Sequence, residues 1–329
     1  MKTVIHTIRP ALRVLMLMVI FTATFSFDWA IAQQPPVYLQ LDGESGYVEV
    51  TDRVDDFSVK EDAGLTVSAW MRPDPDTLTF PKVEGSVNPQ GGCEFYVHWL
   101  GKGSRSLPGN QQEWVLRMYS LTPDCENPRQ NRISFYVFPP TGGGTGTGSY
   151  FQDPVRPGQW IHVVGVLDNT NNGVLGTKGR RTYIFKNGKL RDCDQYQGAE
   201  PAGTVTERIT VINTAPPQRV DCVRDSRTIT PAATSAPLRI GTRDANSMTT
   251  SYFQGAIAEV RIWNRVLSQR EIHDLYAFNL VPQDGLVAEY LLNQDTGTIA
   301  IDTVGGHDGE IKGAAIWAPR CLEGPERVC

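Results

Sequence analysis

The chain has 329 residues, a formal net charge of −5, 40% hydrophobic and 20% charged residues. That balance is too apolar for a disordered chain and too acidic for one held to nucleic acid through its phosphates. The six cysteines are an even number, which gains meaning once the N-terminus is read.

Lys2, Arg9 and Arg13 precede an apolar run from Val14 to Phe27, and Ala30 to Ala32 supply a small-residue cleavage site, the three parts of a secretory signal. The run is 14 residues long, short of the ~20 that a membrane-spanning helix needs. Residues 1–32 are therefore expected to be a cleaved signal, making the chain secreted or periplasmic, with no membrane insertion after cleavage and no nucleic-acid partner. Cleavage removes three basic residues and one acidic one, so the mature chain is more acidic still. In an oxidising compartment disulfides are expected, and sequence proximity pairs Cys93 with Cys125, Cys193 with Cys222, and Cys321 with Cys329, the last closing the C-terminal tail.

From there the elements are strands. "YLQLDG", "GLTVSAWMRPD", "EFYVHWLGKG", "EWVLRMYS", "RISFYVF", "QWIHVVGVLD", "RTYIFKNGKL", "PLRIGTRD" and "GAIAEVRIW" alternate apolar with polar or aromatic residues, with Gly, Pro, Asn and Asp between them. Asn187-Gly188 is a type I′ hairpin signal, because both central residues must take positive φ. The glycine-rich stretch Pro139 to Phe151 lacks the Lys of a phosphate loop and no helix follows it, so it reads as a flexible loop. The insert from Arg191 to Pro237 is polar and Pro-rich with one strand-like piece, "RITVIN". A bridge from Cys193 to Cys222 would contribute about 3 to 4 kcal/mol on the chain-entropy model. Ser268 and Glu271 form a capping box that predicts one short helix near 269–277. Many strands and one helix predict an all-β, two-sheet antiparallel sandwich.

In this order the pieces resemble the laminin-G-like jellyroll family of concanavalin A-like sandwiches. The resemblance rests on "LQLDGESGYVEV" (39–50), "LTVSAWMRPD" (65–74), "PGQWIHVVGVLD" (157–168), "YIFKNGKL" (183–190) and "YFQGAIAEVRIWNRVLSQREI" (252–272). It implies a jellyroll over 33–279 and a lectin, adhesion or appendage role, since the fold alone does not set function. Two departures stand out. Ala258 occupies the place of an Asp in the family's closing strand, so no role of that Asp carries over. The segment "GLVAEYLLNQDTGTIAIDTVGGHDGEIKGAAIW" (285–317) is similar to the family's first segment but comes last, so residues 280–329 are expected to complete the same sandwich as in a circular permutation. Trp317 should then lie near Val37 to Leu41, with Val287, Leu291, Ile299 and Ile311 in the core.

A glycosidase of this fold class places carboxylates in an E-x-D-x-x-E pattern, and no Glu here has an Asp two residues later. Glu259 instead has Arg261 as its same-face neighbour, with Ala256, Ala258, Val260 and Ile262 on the other face, so it reads as half of an ion pair. Trp160 and His162 share a face with Val164 and Val166, where a satisfied core histidine is the ordinary reading. Asp42, Asp302 and Asp308 sit beside turns. Asp next to Gly makes turns, and the alternative is a structural calcium ion bound by these three carboxylates. Trp99, Tyr150, Phe151, Arg243, Asp244 and Tyr252 lie near strand ends and form a candidate ligand groove, as aromatic rings pack on sugar C–H faces beside polar groups.

The sequence thus predicts a non-catalytic binding module for a glycan or another extracellular ligand. The runner-up is a protein-adhesion or structural domain acting through the disulfide-tied insert, and a cryptic glycoside hydrolase is third. Thiol titration of the unfolded, unreduced mature protein should find no free cysteine; one equivalent or more would refute complete pairing.

Overall fold

Alternation along each strand sorts side chains onto two surfaces, and one surface of every long strand meets a common interior. The structure, a computed structural model, describes residues 37–74, 96–104, 107, 111–119, 131–139, 146–151, 153–170, 179–231, 233–243 and 252–319. Strands are numbered in chain order. The ten-stranded sheet runs β11 (Val205–Val211), β12 (Gln218–Arg224), β10 (Lys189–Gln195), β9 (Arg181–Lys186), β8 (Ile161–Asp168), β3 (Gly64–Pro73), β14 (Gln254–Trp263), β1 (Val37–Asp42) and β18 (Ile316–Pro319), with β15 (Leu286–Tyr290) also on β14. The eight-stranded sheet runs β16 (Ile299–Ala300), β17 (Gly309–Lys312), β2 (Tyr47–Val50), β13 (Leu238–Ile240), β4 (Tyr96–Ser104), β5 (Gln111–Tyr119), β6 (Ile133–Val137) and β7 (Thr147–Tyr150). Pairing is antiparallel except between β10 and β12. The fold is a jellyroll sandwich of the concanavalin A type.

Between the sheets, Leu65, Val67, Ala69 and Met71 of β3 face Trp114, Leu116 and Met118 of β5 and Ile133, Phe135 and Val137 of β6 in one buried core. Each such side chain contributes roughly 1.5–3 kcal/mol on burial. A second apolar layer lies on the outer face of the ten-stranded sheet. Val164, Val166, Tyr183, Phe185 and Trp263 are covered there by Ile272 and Leu275 of helix α1 (Gln269–Phe278) and by Ile209 and Val211 of the β11–β12 hairpin. Ser268 and Glu271 form the expected capping box, satisfying donors at the helix start. Cys193 and Cys222 are bonded at directly paired positions of β10 and β12. Cys93, Cys125, Cys321 and Cys329 lie outside the described residues. Asn187 and Gly188 take φ 50° and 73°, as the hairpin requires.

Four sequence expectations need correction. Residues 147–150 of the glycine-rich stretch are not loop but strand β7, and a Cβ at Gly148 would lie 1.9 Å from the Phe135 carbonyl oxygen, so glycine lets the edge strand close up. The alternation of β14 breaks at Glu259, a bulge residue with φ 49°. Before it Ile257 points inward with Ala256 and Ala258 outward; after it Val260 and Ile262 point inward. Trp160 and His162 are buried, but on the outer face beneath α1, while Ile161, Val163 and Leu167 fill the interior. In the C-terminal segment Leu292 and Ala300 enter the core where Leu291 and Ile299 were expected, the latter being 44% exposed; Val287 and Ile311 pack at its margin.

The strands after residue 280 join both sheets. Leu39 of β1 pairs with Trp317, β15 pairs with β14, and β17 pairs with β2. The turn between β16 and β17 is pinned to the body by Arg53, which donates to the carbonyls of Gly305 and Gly306. A chain ending at residue 279 should therefore aggregate and lose its cooperative melt, because three strands lose partners and apolar residues lose their cover. Size-exclusion chromatography and thermal unfolding test this; a monomer melting like the full-length protein would show that residues 280–329 are dispensable to the sandwich.

Candidate functional site

The outer face of the eight-stranded sheet is the candidate site. Trp114, Leu116 and Met118 take the inward positions of β5, which leaves Val115, Arg117 and Tyr119 outward. Cross-strand register sets Tyr96 of β4 beside Tyr119, His98 beside Arg117, and Ser134 of β6 between Arg117 and Tyr150 of β7. The Arg117 guanidinium carbon lies 3.6 Å from the ring centroid of Tyr96 and 3.8 Å from that of Tyr136. Its Nε donates to the Ser134 hydroxyl at 3.4 Å. The hydroxyls of Tyr119 and Tyr136 are 3.3 Å apart, and the Tyr119 ring meets Tyr150 edge-on at 6.2 Å.

This aromatic band continues across the sheet. Tyr136 neighbours Phe138 at 6.3 Å, and the Arg243 guanidinium lies 5.8 Å from the Phe138 ring while donating to Gln112 at 2.7 Å. Arg239 donates to Glu49 at 2.7 Å and to the Arg243 carbonyl, and beyond it Tyr47 packs on Tyr252 at 5.9 Å. Tyr96, Tyr136, Tyr150 and Tyr252 remain half-buried. Such a face offers rings for C–H contact and guanidinium and hydroxyl groups for hydrogen bonds.

Of the residues singled out from sequence, Tyr150, Arg243 and Tyr252 lie on this face. Trp99 does not. It sits at a bulge in β4, is fully buried and contacts Phe253 in the core. Phe151 is likewise fully buried in the core, with the Lys186 ammonium 5.4 Å from its ring. Both are therefore withdrawn as ligand contacts, and Asp244 lies outside the described residues. Sequence reading missed Tyr96, Arg117, Tyr119 and Tyr136. The signal was present in "EFYVHWLGKG", "EWVLRMYS" and "RISFYVF", whose positions opposite the core carry Tyr, His and Arg where a plain solvent face would carry Lys, Glu or Thr.

Of the three carboxylates considered for calcium, Asp302 and Asp42 each accept several of the protein's own donors and Asp308 accepts one. Both oxygens of Asp302 accept backbone N–H groups, from Glu289, Val304, Gly305 and His307, and the His307 ring adds a fifth contact at 2.8 Å. Burial pushes the Asp302 carboxyl up, and these hydrogen bonds outweigh it, leaving it below its ordinary value. Asp308 accepts the Asp302 N–H, and Asp42 accepts the N–H groups of Glu44, Ser45 and Gly46. Lone pairs committed to N–H groups are not offered to a cation, and among the described residues no cluster of three or more His, Cys, Asp or Glu is arranged for one. These aspartates make turns.

Glu259 is half of an ion pair, as its same-face neighbour suggested. Its carboxylate accepts from Arg261 at 3.0 Å, and Arg261 also donates to Glu289 at 2.7 Å. A carboxylate pair that the sequence reading overlooked flanks Cys193. Burial pushes Asp192 up to about 6 against the N–H groups of Tyr150 and Cys193, and raises Asp194, which burial and the neighbouring Asp192 charge both disfavour as an anion. The two carboxylates lie two residues apart on β10, at the seam where β7 meets it, and the Tyr150 N–H donates to Asp192 at 2.9 Å.

Residues 212–273 match the laminin G-type model of the concanavalin A-like lectin/glucanases superfamily. No match is found among curated proteins. A candidate carbohydrate-binding protein from Bacteroides ovatus is similar at a TM-score of 0.50 and 14% identity over 87% of this chain, which spans 60% of that one. The heptameric SAP-like pentraxin of Limulus polyphemus is similar at 0.41 and 12% identity, covering 74% of this chain and 82% of that one. Domain 4 of AbnA, a GH43 extracellular arabinanase of Geobacillus stearothermophilus solved with arabinotriose, is similar at 0.35 and 15% identity over 72% of this chain and 75% of that one. At such identities the first likeness concerns the fold.

On the opposite outer face, the His162 ring lies 5.3 Å from Trp70 and 6.0 Å from Tyr276, and among the described residues its Nδ1 has no hydrogen-bond partner. Burial, helped by the Arg261 charge, lowers its pKa to about 3. The unfolded chain, with an ordinary histidine near ~6.5, then takes up this proton first as pH falls. The contribution of His162 to stability should decline from about pH 6.5 towards pH 3 with a slope of about 1.4 kcal/mol per pH unit. Asp192 and Asp194, whose carboxyls burial raises, take up protons in the folded state over part of that range and act in the opposite sense, and Asp302 adds to the loss only below about pH 3.9. Urea midpoints at pH 7, 5 and 4 should fall more steeply, or rise less, towards low pH in the native protein than in His162→Phe; equal slopes would clear His162.

Proposed function

We propose that this protein is an exported, non-catalytic module that binds glycans on the outer face of its eight-stranded sheet. The observation that carries the reading is the Tyr96–Arg117–Tyr136 stack, continued by Tyr119 and Tyr150, on a sheet face where solvent-directed strand positions are ordinarily short and polar. Half-buried tyrosines held in place by a guanidinium and by one another are rigid, so little side-chain entropy is lost when a sugar ring stacks on them. The laminin G-type match and the Bacteroides ovatus neighbour agree with this reading. The even cysteine count and the Cys193–Cys222 bond agree with export. Retention of binding in EDTA is expected, given the occupied carboxylates of Asp42 and Asp302.

The insert, the basis of the adhesion reading, spends its apolar side chains Ile209 and Val211 on the ten-stranded sheet and turns the Arg208–Asp221 ion pair to solvent. Such a surface lacks the buried aromatic anchor that protein contacts favour.

A glycan array followed by calorimetry on the mature protein should find a saccharide ligand. Tyr136→Ala should weaken it about tenfold or more, as truncation of an anchoring ring does, with an unchanged far-UV spectrum. No glycan ligand, or one indifferent to both Tyr136→Ala and Tyr96→Ala, would overturn the proposal. Release of reducing ends that stops in Asp194→Asn would favour hydrolysis at the Asp192–Asp194 pair instead.

A further inference from the structure

Arg117 differs from most of the buried cations among the described residues in what answers its charge. Arg239 has Glu49, Arg261 has Glu259 and Glu289, Arg181 has Glu207, and Lys102 has Glu113. Arg224 donates to the backbone carbonyls of Gln195, Asp225 and Arg227. Arg117 is only 6% exposed, yet its partners among the described residues are hydroxyls and rings: Ser134, Tyr119, and the faces of Tyr96 and Tyr136. Ring quadrupoles offset part of the cost of burying a cation but supply no counter-charge. Nearby, Arg239 is paired with Glu49, so among the described residues no carboxylate answers Arg117 on this face.

The geometry also sets the direction from which an anion must come. Tyr96 and Tyr136 belong to the strands on either side of β5 and lie within 3.6 and 3.8 Å of the guanidinium carbon, so they cover its two faces. A further partner has to approach in the guanidinium plane, along its N–H edge. A planar carboxylate fits that edge with two parallel hydrogen bonds, whereas a neutral hydroxyl satisfies only one. The flanking tyrosines, half-buried, then present ring edges and faces to the sugar that carries the carboxylate.

We propose that the ligand is an acidic saccharide, a uronate-containing chain whose carboxylate seats on Arg117 between Tyr96 and Tyr136. This rests on the glycan-binding reading above and narrows it to a ligand class.

The test is titration calorimetry of the full mature protein with hexagalacturonate, hexaguluronate and a hyaluronan hexasaccharide, each beside its carboxyl-reduced form, in which the acid is a primary alcohol and the ring is otherwise unchanged. At least one uronate should bind, its reduced form should bind about tenfold more weakly or worse, and affinity should fall as salt rises. Arg117→Met should abolish the preference for the acid. Arg117→Lys, which keeps the charge and the ring contacts but lacks the fork, should retain only part of it, and this variant decides the matter if Arg117→Met fails to fold. Equal binding of acid and reduced forms, or an unchanged preference in Arg117→Lys and Arg117→Met, would overturn the assignment. Binding of neutral glycans alone would overturn it while leaving the glycan module standing, and binding of no glycan would overturn both.

Discussion

Strand β14 pairs with β3 along one edge, while its other edge is shared by two strands from opposite ends of the chain, β1 up to Ile257 and β15 from Val260. The changeover needs an extra residue, and Glu259 supplies it in the left-handed conformation, with its N–H on the Leu291 carbonyl at 3.2 Å. For a residue other than glycine that conformation costs roughly 1–2 kcal/mol. The cost is met locally, because Arg261 binds the bulge carboxylate and also Glu289 on the strand that makes the bulge necessary. Arg261 is almost fully buried, so loss of both carboxylates would strand a charge in the sheet, at about 3–5 kcal/mol. The bulge thereby couples the first and last strands: it lets β15 enter the sheet beside β1, and β18 then pairs with β1.

The same bulge exchanges the faces of β14 and so decides what lies outside. Ala256 and Ala258 turn outward, and their small side chains leave room for Tyr38 and Trp160 to meet edge-to-face at 5.4 Å with Arg72 over both rings. Helix α1, which follows β14 after a short connection, comes back over β8 to β10 and seals His162 beneath Tyr276. The ten-stranded sheet is thus apolar on both sides, one facing the interior and one facing the helix and hairpin. Among the described residues no helix covers the eight-stranded sheet, whose outer positions carry tyrosines, arginines and glutamate. Chemistry suited to a ligand and chemistry suited to packing are separated by the sandwich itself.

Buried charge is handled differently on the two sides. Around the seam of β7 and β10, Asp192 accepts the Tyr150 N–H, and Asp302 takes four backbone N–H groups and a histidine. In each case the polar group is satisfied by atoms close in sequence or in an adjoining strand, as buried polar groups generally are. Arg117 is instead met by π-faces and hydroxyls, a weaker answer to a buried cation than a carboxylate.

Much of the architecture was legible in the residues. Period-2 alternation located the strands, Ser268 and Glu271 set the helix start, Asn187-Gly188 set a hairpin, and Arg261 two places after Glu259 announced their ion pair, because each signal depends on neighbours within a few residues. What alternation cannot show is which of a strand's two faces meets the other sheet, since both faces of β8 and β14 are apolar. Nor can it show a bulge, where one inserted residue exchanges the faces, as at Glu259 and Trp99. Trp99 and Phe151 looked like rim aromatics for that reason and proved to be core. The cluster of Tyr96, Arg117, Tyr119, Tyr136 and Tyr150 draws on four strands and exists only once register sets them side by side. Tertiary structure alone decided it, because cross-strand neighbours are fixed by pairing and not by separation along the chain.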